Sequence, residues 1–281
     1  MLRGIDTAAS GMIALQRRQE SLTNNLANVE TPGYKKVDTA LRAFPEVFLE
    51  RINDAKTSLA GNAPGFSWIG SMQQGVYAQE NISSFLQGDL VTTNNFFDVA
   101  IDDRNLPVEN GQKPGAFFAV VNAAGEIRYT RNGRFTVDEV GQLTTLEGYK
   151  VLNNQGNPIQ IDPNLASSTV SINGNGEIIM NPDDPATRKM ADTIGLALIQ
   201  NPNDLVKEGN GVFRLNGQNP PILTELPAGV QLNQKMIERS TVDPTMTMTN
   251  MMENVRLYEA NQKVLQAYDR SLELLNSIGR V

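Results

Sequence analysis

The stretch from Thr241-Val-Asp-Pro-Thr-Met246 to the C-terminal Leu275-Asn-Ser-Ile-Gly-Arg-Val281 constrains the chain most. Asp243-Pro244 places an N-cap side chain before a proline at the first helical position, where the missing N–H costs nothing and the fixed φ suits a helix. Apolar residues then recur at Met251, Tyr258, Leu265 and Leu272, with Tyr268 and Leu275 three residues after the later members, which is a heptad seam. Nothing interrupts it before Gly279. At 1.5 Å per residue the predicted helix is roughly 50 Å long, more than one compact domain needs to cover its core, so it requires a partner helix. Asn254 and Asn261 fall on the same seam, where a polar residue gives up stability in exchange for a single register.

A second seam occupies the other end of the chain. Ile5, Met12, Gln19 and Leu26 form one row and Ala8, Leu15, Leu22 and Val29 the other. Asp6 and Thr7 are the expected caps, and Thr31-Pro32-Gly33 is the expected stop, because the residue before proline is driven out of the α region. The predicted helix runs from about residue 6 to about 29. Chain ends are ordinarily frayed and polar, whereas here they hold the longest apolar patterns. The two ends are therefore expected to pair with each other, and with copies of themselves if the stripe is too wide for one partner.

Between the seams the texture changes twice. Residues 35 to 95 read as an extended linker: Leu41, Phe44, Val47 and Phe48 stand at helical spacing, Gly61-Asn-Ala-Pro-Gly65 breaks the pattern, and Gly70 to Leu90 is polar with short β-like runs such as Gly75-Val-Tyr-Ala-Gln-Glu80. Lys35 and Lys36 read as solvated surface. From 96 to 226 short β-branched and aromatic runs alternate with Gly, Asn, Asp and Pro. Glycines at 125, 133, 141, 148 and 156 leave room in each interval for one short strand and a tight turn, so an antiparallel meander is expected, with glycines supplying φ > 0. Asn-Gly pairs at 173-174, 210-211 and 216-217 continue the habit. The expected fold class is α+β: an N-terminal axial helix (1-34), an extended linker (35-95), a central all-β domain (96-226), a return linker (227-242) and a C-terminal axial helix (243-281), the helices pairing as a coiled-coil-like bundle.

Chemistry is sparse. The 281 residues contain no cysteine and no histidine, which excludes disulfides, thiolate nucleophiles, Cys/His zinc sites and Ser-His-Asp catalysis. A net charge of −7 and a single tryptophan, Trp68, argue against nucleic acid as a partner. The first residues lack the basic and apolar regions of a cleaved secretory signal, and the longest apolar run, Ala116 to Val121, is far short of the ~20 residues of a spanning helix. Asp102-Asp103 and Asp183-Asp184 are paired carboxylates of the kind glycoside hydrolysis uses, but both sit among turn residues and read as solvated turn aspartates. Gly65-Phe-Ser67 lacks the second glycine of a nucleophile elbow, and Gly174/Gly176 and Gly209/Gly211 lack the third glycine of a dinucleotide fingerprint. No cofactor, metal or small-molecule substrate is expected.

The block Asn24-Asn-Leu-Ala-Asn28-Val-Glu-Thr31-Pro-Gly33-Tyr34 resembles the N-terminal signature of bacterial flagellar axial proteins, and Tyr258-Glu-Ala-Asn-Gln-Lys-Val-Leu-Gln-Ala-Tyr-Asp269 resembles the other end of that family. The span from Gly115-Ala-Phe-Phe-Ala-Val through Tyr-Thr-Arg131-Asn-Gly-Arg-Phe to Gly148-Tyr-Lys-Val-Leu152 is similar to the β-domain of the larger basal-body rod proteins. The resemblance implies a structural, non-enzymatic subunit of the flagellar basal body, exported by the type III flagellar apparatus without a cleaved signal. It further implies polymerisation with copies of itself and contact with other rod and hook subunits, in an assembly that transmits torque. A hook or hook-associated subunit is the near alternative and a carbohydrate-active β-protein the distant one. The residues expected at the assembly interface are Ile5, Met12, Leu15, Leu22, Leu26, Asn28, Tyr34, Met251, Tyr258, Asn261, Leu265, Tyr268, Leu272 and Leu275.

Overall fold

A computed structural model describes residues 2–52, 66–108, 113–161, 170–216, 223, 224, 226 and 229–279. The expected break at Gly61 to Gly65 and the glycine of the 216-217 pair lie outside these residues. The chain divides into two compact units, one of residues 1–26, 37–82 and 245–281 and one of residues 27–36 and 83–244.

The first unit holds the helices α1 (Leu2–Ala27) and α2 (Pro244–Ile278) and four strands, β1 (Val37–Ala43), β2 (Val47–Ile52), β3 (Phe66–Met72) and β4 (Val76–Ser83). The proline at 244 opens α2 as its fixed φ requires, and the helix gives out at Gly279, whose N–H still reaches the Leu275 carbonyl at 3.0 Å. α1 begins at Leu2, ahead of the expected caps. Thr7 is instead inside the helix, its hydroxyl donating to the Arg3 carbonyl at 2.9 Å. The helical spacing of Leu41, Phe44, Val47 and Phe48 is misleading. Leu41 lies in β1 and Val47 and Phe48 in β2, because Pro45 breaks any helix between them and β-branched Val37, Thr39, Val47 and Ile52 favour extended backbone. β1 pairs with β4, and β2 with β3 in an antiparallel hairpin.

The second unit carries short strands: β5 (Leu90–Thr92), β6 (Val99–Asp102), β7 (Gly115–Val121), β8 (Ile127–Thr130), β9 (Phe135–Val137), β10 (Leu143–Thr145), β11 (Lys150–Val151), β12 (Val170–Ile172), β13 (Glu177–Met180), β14 (Lys189–Thr193), β15 (Leu196–Ile199), β16 (Leu205–Gly209), β17 (Val212–Leu215), β18 (Leu223–Thr224), β19 (Gln231–Gln234) and β20 (Met236–Glu238). The order β16-β17-β8-β7-β11-β10-β9 keeps the expected hairpins but is not a simple meander, because β7 is a hub. One edge of β7 takes β8. Its other edge is divided, residues 115–118 pairing with β15 and 120–121 with β11.

Strand alternation makes that hub the centre of the core. Ala116, Phe118 and Val120 point into a cluster with Val99, Ile101, Phe135, Ile159 and Leu196. Phe117 points the other way, among Tyr129, Ala197, Ile199, Leu205 and Phe213. A strand buried on both faces reads as a continuous apolar run, which is the Ala116–Val121 signal in the sequence.

Glycines 125, 141, 148 and 156 have the positive φ that their turns require, but Gly133 and Gly174 do not. At Gly133 the reason is close approach: a Cβ there would lie 1.7 Å from the Val99 carbonyl oxygen, in a place where the Val99 N–H donates to the Gly133 carbonyl at 3.0 Å.

Lys35 and Asp103 correct the sequence reading more sharply, since both are buried. The Lys35 amine donates to Glu238 Oε1 and to the Leu86 carbonyl, each at 2.7 Å, with both charged side chains at most 1% exposed. Glu238 Oε1 also accepts the Gly88 N–H at 2.7 Å, and its Oε2 lies 3.6 Å from Arg131 Nη1. Arg131 donates in turn to Asp103 and stacks over Phe117, 5.1 Å from the ring centre. Asp102 ends β6 opposite Gln231, its carboxylate accepting the Arg104 N–H of the turn that follows, and Asp184 caps its own turn through Ala186 and Thr187. Burial, with Arg131 adding to it, pulls the Lys35 amine down to about 8 against the opposing pull of Glu238.

Two outcomes follow from this packing. Gly133→Ala is expected to destabilise the second unit by about 1–3 kcal/mol or more, because backbone must move. Gly148→Ala, whose Cβ would meet nothing within 4 Å, should cost only the left-handed conformation, roughly 1–2 kcal/mol; equal losses in urea unfolding would refute the distinction. For Lys35, the unfolded amine holds its proton up to the ordinary lysine value of 10.5 while the folded one releases it near 8. Its contribution to stability is thus present above the higher value and lost as pH falls through the lower. The unfolding free energy between pH 8 and 10 should therefore rise more steeply in the wild type than in Lys35→Met, measured by urea titration at each pH.

Candidate assembly interface

α1 and α2 run antiparallel where they meet, and the contacts on α2 come from the row Asn254, Asn261 and Tyr268. Tyr268 covers Gly4, where a Cβ would come within 2.3 Å of the phenol oxygen; Asn261 faces Gly11 at 3.2 Å; and Asn254 donates to the Leu15 carbonyl and to Gln19 Oε1, each at 2.9 Å. The contacts on α2 are seven residues apart, and the α1 numbers fall as the α2 numbers rise. Asn254 is buried, and its Oδ1 has no hydrogen-bond partner. Such a group lowers stability in exchange for fixing one alignment.

Of the expected interface residues, Leu15 and Leu22 are buried, and Ile5, Met12, Leu26, Met251, Asn261, Leu265, Tyr268 and Leu272 are half-buried. Tyr258 and Leu275 remain exposed. An adjacent flank of α1 bonds to β1, a contact the heptad count missed. Asn25 donates to the Val37 carbonyl at 2.7 Å and accepts the Val37 N–H at 2.9 Å, and Ser21 donates a second bond to that carbonyl at 3.1 Å. One asparagine side chain thereby completes both backbone groups of the first strand residue. The only signal in the sequence was the Asn24-Asn25 pair within the signature block.

Asn28 and Tyr34 lie in the turn after α1. The Thr31 N–H donates to the Asn28 carbonyl at 3.2 Å and the Tyr34 N–H to the Thr31 carbonyl at 3.3 Å, so the turn is closed by its own backbone. Gly33 has φ 68°, and a Cβ there would lie 2.4 Å from the Arg131 backbone. Asn28 is half-buried, whereas the Tyr34 side chain is buried within the second unit, beneath the Lys207 amine at 3.7 Å from the ring centre. Burial pushes the Tyr34 phenol up to about 12 and pulls the Lys207 amine down to about 8.

A second apolar row on α2 went unrecognised in the sequence. Leu257, Ala260, Val264, Ala267 and Leu274 each precede a seam position by one residue, and Ile278 follows Leu274 by four, so they form a row about 100° around the helix from the first. They are in water: Leu257 and Val264 are each 43% exposed, Leu274 59% and Ile278 71%. On the strands of the same unit Phe48 and Ile69 are also exposed, at 67% and 62%. A helix face that keeps an apolar row in water is a candidate site of protein association. Among the described residues no group of three or more Asp or Glu could hold a metal, and no helix is long and apolar enough to cross a membrane.

Three family profiles match the chain in order. Residues 5–35, α1 and its turn, match the flagella basal body rod protein family; residues 114–180, from β7 through β13, match the flagellar hook protein FlgE/F/G D1 domain; and residues 233–278, essentially β20 and α2, match the flagellar basal body rod FlgEFG protein C-terminal family. The chain is 36% identical over 286 residues to the flagellar hook-basal body complex protein FlhO of Bacillus subtilis, covering all of both chains. It is 31% identical to the flagellar basal-body rod protein FlgF of Caulobacter vibrioides, over 95% of this chain and 93% of that one, and 28% identical to the flagellar basal-body rod protein FlgG of Borreliella burgdorferi, over all of both. With its two helical ends, its β-rich middle and end-to-end likeness to these relatives, the chain belongs to the flagellar basal-body rod and hook-basal body protein family.

Proposed function

We propose that this protein is a structural subunit of the flagellar basal-body rod, delivered by the type III flagellar export apparatus, that polymerises with copies of itself and joins other rod and hook subunits to transmit torque. Its role is mechanical and not catalytic. The observation that carries the reading is the second apolar row of α2. A helix that has already paired with α1 and still holds Leu257, Val264, Leu274 and Ile278 in water is built to be covered again, and identical neighbouring helices supply the matching surface. The exposed Phe48 and Ile69 on the β2–β3 hairpin support the same reading, because a two-stranded hairpin is marginal in water without something packed against it. Assignment to the rod follows the names of the relatives, two of which are basal-body rod proteins.

Leu265→Asp and Val264→Asp separate the two rows. Leu265→Asp places a charge on the α1-facing seam, so it should weaken the monomer by several kcal/mol as well as block incorporation. Val264→Asp changes a water-exposed position and should leave monomer stability within about 0.5 kcal/mol. In a bacterium carrying Val264→Asp as its sole copy, swimming is expected to be lost and purified basal bodies to lack this subunit. Normal motility with normal basal bodies in that strain would refute assembly through this face.

A further inference from the structure

The charges buried behind the signature turn come from four distant places in the chain: Lys35, Asp103, Arg131 and Glu238. We propose that this cluster is a latch that docks residues 31–36 onto the rest of the second unit in one all-or-none step, and that it can close only once the strand bearing Glu238 is in place.

The argument begins with charge balance. Two cations and two carboxylates cancel when all four are present. Remove the Glu238 strand and Lys35 and Arg131 face a single carboxylate, which Arg131 already uses. Lys35 would then keep only the Leu86 carbonyl as an acceptor at a site where its side chain is fully screened from water. An unpaired buried charge is strongly unfavourable, so the half-built arrangement is avoided.

Shape leads to the same conclusion. A Cβ at Gly33 would lie 2.4 Å from the Arg131 carbonyl carbon, and one at Gly88 would lie 2.2 Å from the Arg239 carbonyl oxygen, so the segments on both sides of the Lys35–Glu238 pair fit in one position only. The backbone closes along with the charges. The Gly33 N–H donates to the Glu238 carbonyl at 2.8 Å, the Thr241 N–H to the Tyr34 carbonyl at 3.1 Å, and the Lys36 N–H to Thr241 Oγ1 at 2.9 Å. Apolar side chains of similar volume hold such a place as well or better than ion pairs do. What the charges add is a condition: the turn that follows the first helix is secured by a strand made some two hundred residues later.

Hydrogen exchange on the full-length monomer, read by mass spectrometry, tests this. In Glu238→Gln, amides of residues 31–36 and 86–89 are expected to exchange at least about tenfold faster than in wild type, with 115–121 and 127–130 unchanged. In Lys35→Met/Glu238→Leu, which removes one charge of each sign, protection at 31–36 should return to within about threefold of wild type. Pulse labelling during refolding of the wild type needs no variant: residues 31–36 should gain protection together with 236–241 and after 115–121. The latch is refuted if Glu238→Gln leaves 31–36 as protected as in wild type, if it loosens 115–121 to the same degree, or if the wild type protects 31–36 before 236–241.

Discussion

The architecture follows from apolar helix surface that one partner cannot cover. α2 carries two adjacent rows of apolar residues, and α1 covers only the first. In a protein meant to stay single, evolution replaces such a second row with Lys and Glu; here Arg256 and Lys263 stand beside it and leave it intact. On the proposed reading the helices of the first unit await further partners, while the β-strands of the second bury their own core. Its central strand is buried on both faces, by Phe118 on one side and Phe117 on the other.

Much of this was legible in the sequence because it is local or periodic. Pro244 marks the start of α2, the heptads predict two long helices at the ends of the chain, and the spaced glycines predict most of the hairpin turns. What escaped was long-range. Lys35 and Asp103 look like surface charges because their partners, Glu238 and Arg131, are remote in sequence, and no local pattern announces a buried ion pair. Gly133 looked like one more turn glycine, yet it is required by the carbonyl of Val99, more than thirty residues away. The strands β1 and β2 were hidden by a chance helical spacing that Pro45 should have overruled.

The second row on α2 escaped for another reason. Its members include Ala260 and Ala267, which a search for large apolar residues passes over, and the stronger row beside it absorbs the periodic signal. Small residues matter as much on the opposite helix. Gly4 and Gly11 contribute nothing to a hydrophobic count, yet they create the hollows into which Tyr268 and Asn261 fit.

Those hollows have a mechanical consequence. Two smooth apolar helices held only by burial could slide past one another at little cost, since greasy contact is much the same at every offset. Here a ring and an amide sit in gaps spaced one heptad apart, with Asn254 tethered to the Leu15 carbonyl further along, so displacement along the axis must lift each tooth from its notch before another can be entered. The helix pair is geared against shear, and an axial load on one helix is handed to the other through interlocking side chains.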